Sequence, residues 1–182
     1  RVPRALRVRT VSDARAAARL PDVRLLGIAQ EPPTGDDAAL FADVIRVSDA
    51  LDTGQLIDAA KTLRYRHGDL HRVLGILEPL QVQLAEVRQA LGVHGTDPVT
   101  AELFRDKQLM KERVAAAGLR VPRALRVRTV SDARAAAEQL GYPLVLKPIA
   151  GAGSADTYRV GDADELEAVL KQMLHVGEAS CE

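Results

Sequence analysis

The sequence predicts an α/β protein in two parts, a parallel α/β sheet with flanking helices followed by a small α+β unit. From residue 19 to 95, short apolar segments alternate with amphipathic ones, which is typical of the strands and helices of a parallel sheet. From residue 96 to 182 the order changes to helix, strand, helix, hairpin and helix, which indicates a separate α+β unit. We therefore predict two domains, residues 1–95 and residues 96–182.

In the first domain, Ser12 is expected to cap an opening helix. Three strands are then predicted, in DVRLLGIAQ, around Val44 to Val47, and in HRVLGILEP. Two helices are predicted in TGQLIDAAKTLRYRHG, ended by Gly68, and in LQVQLAEVRQALG, ended by Gly92. Glu78 follows the third predicted strand, and we interpret it as a carboxylate at a helix start rather than a site residue.

The second domain is predicted to open with one long helix from Asp97 and Pro98 to Gly118. A strand in VPRALRVRT, a helix from Ser131 to Gly141, a strand in YPLVLKPIA and a returning strand in TYRV follow. Asp162 is expected to cap a closing helix with Glu165 in a capping box. The tail GEASCE is interpreted as the start of another strand.

Composition limits the classes of partner. The 182 residues carry 25 basic and 25 acidic side chains, so no overall field favours nucleic acid or an anionic membrane. The single cysteine, Cys181, excludes an internal disulfide framework and indicates a reducing cytoplasm; we interpret it as a small apolar strand residue. The four histidines show no metal-ligand spacing, and no apolar run is long enough to span a membrane. A homo-oligomer is compatible with the sequence, and because the chain begins at Arg1 we expect its natural start to be missing.

A lysine at the end of an apolar strand and a glycine-rich loop indicate phosphate binding. Lys147 ends the strand YPLVLKP, and IAGAGSAD follows it. Gly151 and Gly153 permit backbone conformations that other residues reach with strain, and their amides with the Ser154 hydroxyl would suit a phosphate. The loop is not a Walker A motif, because no Gly-Lys-Ser/Thr ending is present. A plain hairpin turn beside a surface lysine is the alternative interpretation.

The order of these motifs resembles the ATP-grasp superfamily, as in biotin carboxylase and carbamoyl-phosphate synthase-like ligases. FRDKQLMKERVAAAGLRVPRAL is followed by a helix and then by GYPLVLKPIAGAGSADTYRV. In that superfamily a helix that carries Asp-Lys and then Met-Lys is followed by a turn, a strand and a second helix. The next strand carries a phosphate-binding lysine, and a mobile glycine loop follows that strand. The resemblance covers about residue 96 to the C-terminus, and the preceding segment is similar to the pre-ATP-grasp domain.

The resemblance implies a nucleotide site. The resemblance implies that Lys107 and Lys147 contact the ATP phosphates. It implies that a loop folds over these phosphates, formed by Gly151, Ala152, Gly153 and Ser154. It also implies that Glu182 lies at the edge of the adenine hinge. It also implies Mg²⁺, held by acidic residues and an Asn in a C-terminal lobe outside this chain, so that the chain alone is expected to be inactive. The complete enzyme would convert a small carboxylate to an acyl phosphate, which an amine or other nucleophile attacks.

Other interpretations remain open from the sequence. Lys107 alternatively is an exposed helix residue paired with Asp106 or Glu112. The whole chain alternatively is a non-enzymatic α/β ligand-binding or interaction module. A dinucleotide-binding oxidoreductase is disfavoured, because no G-x-G-x-x-G follows any predicted strand.

Eighteen residues, Arg1–Ala18, recur without change as Arg120–Ala137. Because a fold tolerates many sequences, old repeats diverge, and this identity indicates a recent duplication, an engineered or misassembled chain, or a chimera. The second copy supplies the strand and helix that the resemblance requires ahead of YPLVLKP. The first copy is therefore interpreted as a replacement for a native N-terminus, and we expect it to pair differently from the second.

Overall fold

The computed structural model describes residues 18–173 and 179–181 and has a mixed α/β architecture, which confirms the predicted fold class. The chain divides into two compact units, Arg1–Ala101 and Glu102–Glu182. The prediction of a domain division after residue 95 stays a prediction. The expectations for the first copy of the repeat, including its Ser12 cap, fall on residues 1–17 and lie outside the described residues, as does Glu182.

From residue 19 to 95, the described part of the first unit contains a two-stranded parallel sheet and two α-helices. The strands are β1 (Leu26–Ala29) and β2 (Asp43–Arg46), in a register that places Leu26 opposite Asp43 and Ala29 opposite Arg46. The helices are α1 (Thr53–His67) and α2 (Gln81–Leu91). Short 3-10 helices cover Gly35–Leu40 and Glu78–Leu80.

The two long helices of the first unit begin and end where local chemistry sets them. Asp52 caps α1, because its carboxylate accepts the Gln55 backbone N–H at 3.2 Å. Gly68 ends α1 at φ 87° and Gly92 ends α2 at φ 66°, both in the left-handed region that glycine enters without strain. Both ends agree with the prediction. The helices pack on each other through Leu56, Ala60, Val87 and Leu91.

The predicted third strand of the first unit is wrong. HRVLGILEP contains no strand among the described residues, and Glu78 instead begins a 3-10 helix. Leu74, Ile76 and Leu77 are each more than half exposed. The segment has the composition of a strand, but a strand forms only where a neighbour supplies hydrogen bonds, and none of the described strands pairs with it.

The second unit contains a four-stranded antiparallel sheet with helices. Helix α3 (Pro98–Arg105) begins in the first unit and ends in the second. The described residues of the second unit also form α4 (Lys107–Ala116), α5 (Val130–Leu140) and α6 (Ala163–Gln172). The strands are β3 (Leu125–Val127), β4 (Leu144–Pro148), β5 (Tyr158–Val160) and β6 (Ala179–Cys181), in the order β3-β6-β4-β5. The predicted tail strand is thus an inner strand of the sheet, paired with both β3 and β4.

The predicted long helix is two helices, which corrects the expectation of one continuous helix to Gly118. Asp106 adopts an extended backbone (φ −88°, ψ 109°) between α3 and α4. Its carboxylate accepts the backbone N–H groups of Gln108 and Leu109, each at 2.9 Å, so it caps α4. A short polar side chain that bonds its own backbone favours a cap over a helix interior, and this breaks an otherwise periodic pattern.

Capping residues also fix the start of α5 and α6. Thr129 caps α5 in a capping box with Asp132, and the helix begins at Val130, one residue before its predicted start at Ser131. Asp162 caps α6 by accepting the Glu165 backbone N–H at 2.9 Å, as predicted. The Glu165 carboxylate accepts the N–H of Gly161 at 2.7 Å, one residue before the expected partner.

The sheet of the second unit has two chemically different faces. Apolar residues of its strands, among them Leu144, Leu146 and Cys181, pack in one core with three alanines of α5 and two leucines of α6. Because side chains alternate along a strand, the residues between them lie on the opposite face. There Arg126, Ser180 and Lys147 lie side by side on β3, β6 and β4. We call this the polar face.

Candidate functional site

Lys147 occupies the polar face near the end of β4. It lies directly opposite Ser180, which in turn lies opposite Arg126. Directly opposed residues of antiparallel strands have Cβ atoms about 5 Å apart, so these side chains are near neighbours. Ser180 is fully buried, and its hydroxyl has no hydrogen-bond partner among the described residues.

Helix α4 begins beside the polar face and carries two further lysines. Its capping residue Asp106 forms an ion pair with Arg126, which attaches the start of the helix to β3. Lys107 begins the helix, and Lys111 follows one turn later, so both lie on one side of it. Lys111 is 8% exposed, which is unusual for a lysine.

Lys107 and Arg105 hold the chain that leads into the glycine loop. The Lys107 ammonium donates to the carbonyl oxygens of Ile149 at 3.2 Å and Gly151 at 3.0 Å, and its backbone N–H donates to Ile149 at 3.2 Å. The Arg105 guanidinium donates to the Ala150 carbonyl oxygen and, at 3.5 Å, to that of Gly151. Lys107 is half-buried in these contacts, unlike the exposed helix residue of the alternative interpretation. Three consecutive carbonyl groups therefore face cations.

The loop from Gly151 to Ser154 connects β4 to β5 and has left-handed backbone at its tip. Gly153 has φ 60° and Ser154 has φ 61°, and two positive φ angles in succession are the backbone of a type I′ hairpin turn. Gly151 has no positive φ, but a Cβ placed there would lie 3.2 Å from Pro148. The Ala155 N–H closes the turn by donating to the Ala152 carbonyl oxygen at 3.1 Å.

The electrostatics of the polar face are those of crowded cations. Burial, followed by the charges of Lys147 and Lys107, lowers the pKa of Lys111 to about 8. Burial and then Lys107 also lower the pKa of Lys147. Burial acts to raise the pKa of Asp106, but hydrogen bonds from Leu109 and Arg126 outweigh it and lower that pKa. An anion placed here would interact favourably with every lysine of the group.

The structure brings together most of the residues that the sequence singled out. Lys107, Lys147 and the loop from Gly151 to Ser154 lie in one region, while Glu182 lies outside the described residues. Lys111 was not assigned to the site, although its position four residues after Lys107 placed it on the same helix side. Cys181 is a fully buried core residue whose pKa is raised by burial.

The part of the chain that the structure describes has neither a cluster of metal ligands nor a helix suited to span a membrane. Within residues 18–173 and 179–181, no three histidine, cysteine or carboxylate side chains converge in a way that would hold a metal ion. Over the same ranges, no helix combines the length and apolar character needed to cross a membrane.

Residues 106–181 match a protein family described as the ATP-binding domain of the carbamoyl-phosphate synthase L chain. This span includes α4, the glycine loop and the whole four-stranded sheet. The match confirms that residues 106–181 resemble an ATP-binding domain of the ATP-grasp superfamily.

Curated relatives align with about half of the chain. It is 36% identical over 84 residues to the alanine–anticapsin ligase of Bacillus subtilis strain 168, covering 46% of this chain and 18% of the relative. It is 32% identical over 100 residues to the carbamoyl phosphate synthase large chain of Rubrobacter xylanophilus, covering 55% of this chain and 9% of the relative. An L-arginine-specific L-amino acid ligase of Bacillus subtilis is 32% identical over 92 residues, covering 50% and 22%. The aligned regions therefore span less than a quarter of each relative's length.

Solved structures show the same fold over most of the chain. The L-amino acid ligase of Bacillus licheniformis matches with a TM-score of 0.69 at 20% identity, covering 89% of this chain and 44% of the ligase. The biotin carboxylase domain of the Hydrogenobacter thermophilus 2-oxoglutarate carboxylase matches with a TM-score of 0.67 at 21% identity, covering 94% and 41%.

Proposed function

We propose that this chain is the N-terminal part of an ATP-dependent ligase and that its polar face binds the phosphates of ATP. The observation that carries the proposal is that the Lys107 ammonium lies at the start of the glycine loop, next to the strand that carries Lys147. Cations crowded in this way lower one another's pKa, and a polyphosphate relieves that repulsion. Lys147 and Lys107 would each donate to phosphate oxygens, and the loop Gly151, Ala152, Gly153 and Ser154 would cover them.

The arrangement requires Lys107 to change partners. In the structure its ammonium is bonded to the carbonyl oxygens of Ile149 and Gly151. A phosphate oxygen is the stronger acceptor because it is charged, so Lys107 would turn to the nucleotide when ATP binds. Such an exchange would release the start of the glycine loop and allow it to move over the phosphates.

We propose that the complete protein uses ATP to convert a small carboxylate to an acyl phosphate, which an amine then attacks. Two of the relatives are named as ligases of amino acids, so amino acids are the first carboxylates to test. Among the described residues none forms a metal site, and we propose that Mg²⁺ ligands lie elsewhere in the complete protein. A domain-sized C-terminal segment would have to supply them, together with the adenine hinge near Glu182. The single cysteine and the use of ATP support a cytoplasmic location.

Hydroxylamine trapping tests this function directly. The complete protein is incubated with ATP, Mg²⁺, one amino acid at a time and hydroxylamine. Hydroxylamine attacks an acyl phosphate and releases phosphate, and the hydroxamate formed is detected as its coloured iron(III) complex. We expect hydroxamate and equimolar ADP with at least one amino acid, and none without ATP. Binding of ATP without ADP formation for any carboxylate would favour the non-enzymatic ligand-binding module instead.

A further inference from the structure

Arg105, the last residue of α3, contacts the start of the glycine loop. Its guanidinium donates hydrogen bonds to the carbonyl oxygen of Ala150 and, at 3.5 Å, to that of Gly151. The side chain is half-buried, and its partners lie 45 and 46 residues later in the chain. The family match begins at Asp106, so it does not include Arg105. Because a guanidinium presents several N–H donors in a rigid plane, it can bond two successive carbonyl groups and fix the path of the loop.

The three carbonyl groups that lead into the loop share two side chains and one backbone donor. The Lys107 ammonium donates to the carbonyl oxygens of Ile149 and Gly151, at 3.2 and 3.0 Å. The Lys107 backbone N–H also donates to Ile149, at 3.2 Å. Arg105 donates to Ala150 and Gly151. Each carbonyl group that the ammonium contacts therefore has a second donor.

The second donors reduce the free-energy cost of releasing the Lys107 ammonium. When the ammonium turns to a phosphate, the Ile149 carbonyl group keeps the backbone N–H, and the Gly151 carbonyl group keeps the guanidinium. Ile149 is buried and Gly151 is half-buried, so a carbonyl group that loses its donors there is destabilising. Without Arg105, departure of the ammonium would leave the Gly151 carbonyl group without either of these two donors.

We propose that Arg105 is a positioning residue that holds the base of the glycine loop while Lys107 transfers to the phosphates of ATP. The inference rests on the proposed function, because it assigns Arg105 a role in that same site. The rigid guanidinium suits a fixed hold, whereas an ammonium on a flexible stem suits a change of partner. Movement of the loop is then confined to the residues after Gly151, where Gly153 and Ser154 form the turn.

A double-mutant cycle on the complete protein separates this role from a simple effect of charge. The single variants are Arg105→Ala and Lys107→Ala, and a third protein carries both changes. Calorimetry measures the affinity for ATP, and hydrogen exchange measures the opening of residues 150 to 155 with and without ATP. Arg113→Ala is the matched control, because Arg113 is an exposed arginine of α4. Thermal unfolding shows whether each protein is folded, and Arg105→Gln replaces Arg105→Ala if the latter is not.

We expect Arg105→Ala to weaken ATP binding about fivefold in the parent, but no more than about twofold when residue 107 is already alanine, because no ammonium then has to be released. The amides of residues 150 to 155 should exchange faster in Arg105→Ala, most of all in the ATP complex, where Lys107 no longer holds the loop. Arg105→Lys, which keeps an N–H donor, should recover part of the affinity and of the protection. Arg113→Ala should behave like the parent in both measurements.

Equal effects of Arg105→Ala in the two backgrounds would show that Arg105 acts through its charge alone, and would overturn the inference. An Arg105→Ala variant that binds ATP like the parent, while Lys147→Ala loses binding, would also overturn it and leave the proposed function standing. If Lys147→Ala binds ATP like the parent as well, the proposed function and this inference are both overturned.

Discussion

The two faces of the four-stranded sheet are made by the same strands but have opposite chemistry. On one face Leu144, Leu146 and Cys181 are buried against alanine-rich α5 and against α6. On the other, Lys147, Ser180 and Arg126 form a row, with Lys107 and Lys111 supplied by α4. Alternation along a strand places neighbouring residues on different faces, so Leu146 packs in the core while Lys147, next to it, lies on the polar face. Substitutions on the apolar face should therefore change stability, and substitutions on the polar face should change ligand binding.

The largest effect on stability is expected on the apolar face. Leu146 is 1% exposed, and Leu146→Ala removes buried methyl groups and leaves a cavity, so unfolding free energy should fall by about 2–5 kcal/mol. Urea denaturation measures this loss. Val145→Ala, one residue away and half-buried on the other face, is the control and should cost less than half as much. Equal losses would mean that the two faces do not differ as described.

The next effect concerns Lys107 and the glycine loop. In Lys107→Ala the carbonyl groups of Ile149 and Gly151 lose their ammonium donor. We expect ATP to bind about tenfold more weakly to the complete protein, and the backbone amides of residues 150 to 154 to exchange hydrogen faster. Calorimetry and hydrogen exchange measure the two effects, with Lys171→Ala as the control. Unchanged exchange in Lys107→Ala would show that this lysine does not hold the loop.

A third prediction is that loss of a cation from the polar face increases stability. Folding lowers the pKa of Lys111 from 10.5 to about 8, so between these values the unfolded chain binds more protons than the folded one. Stability of the parent should therefore rise as pH increases from about 8 to 10.5, and Lys111→Met should lack this rise. Near pH 7 the variant should be more stable by about 1–2 kcal/mol, because no charge is buried.

Denaturation curves of the parent and Lys111→Met, recorded between pH 7 and 10.5, measure this difference. Other titrating groups contribute equally to the unfolding free energy of both proteins, so their contribution cancels when one free energy is subtracted from the other at each pH. A variant that is less stable than the parent at pH 7 would contradict the prediction, since it would show that the charge of Lys111 stabilises the unliganded fold.

The smallest effect on stability is expected for an exposed ion pair between α5 and α6, the two helices that cover the apolar face. Arg134 of α5 donates to both carboxylate oxygens of Glu167, at 2.6 and 2.8 Å, but both side chains are exposed. Water and salt screen such pairs, so Arg134→Ala should lower the melting temperature by no more than about 2 °C. Differential scanning calorimetry at low and high salt measures this. A large, salt-sensitive decrease would show that exposed charges matter as much as buried ones.

The sequence was sufficient wherever a local pattern decides the structure. Gly68, Gly92 and Gly141 end helices as predicted, because the left-handed backbone after a helix is a local requirement. The strands around Leu146 and Tyr158 and their hairpin also follow from apolar alternation and the glycine-rich connection between them.

The remaining features depend on contacts between distant residues. HRVLGILEP has a strand pattern, but strand formation requires a partner that composition does not reveal. The break at Asp106 is stabilised partly by Arg126, twenty residues later, which a helical periodicity cannot show. The burial of Lys111 depends on which side of α4 meets the sheet. The assignment of Lys147 to phosphate binding stays a prediction until a nucleotide is tested.

Binding of ATP and AMP to the complete protein and its Lys147→Ala variant tests the central claim most directly. If the polar face holds the outer phosphates, Lys147→Ala should weaken ATP binding about 10–100-fold while AMP, which lacks those phosphates, binds the parent and the variant alike. Lys171→Ala should bind both nucleotides like the parent, and thermal unfolding should show that all three proteins are folded. A Lys147→Ala variant that binds ATP as tightly as the parent would contradict the account, and the glycine loop would then be a hairpin turn beside a lysine without a nucleotide role.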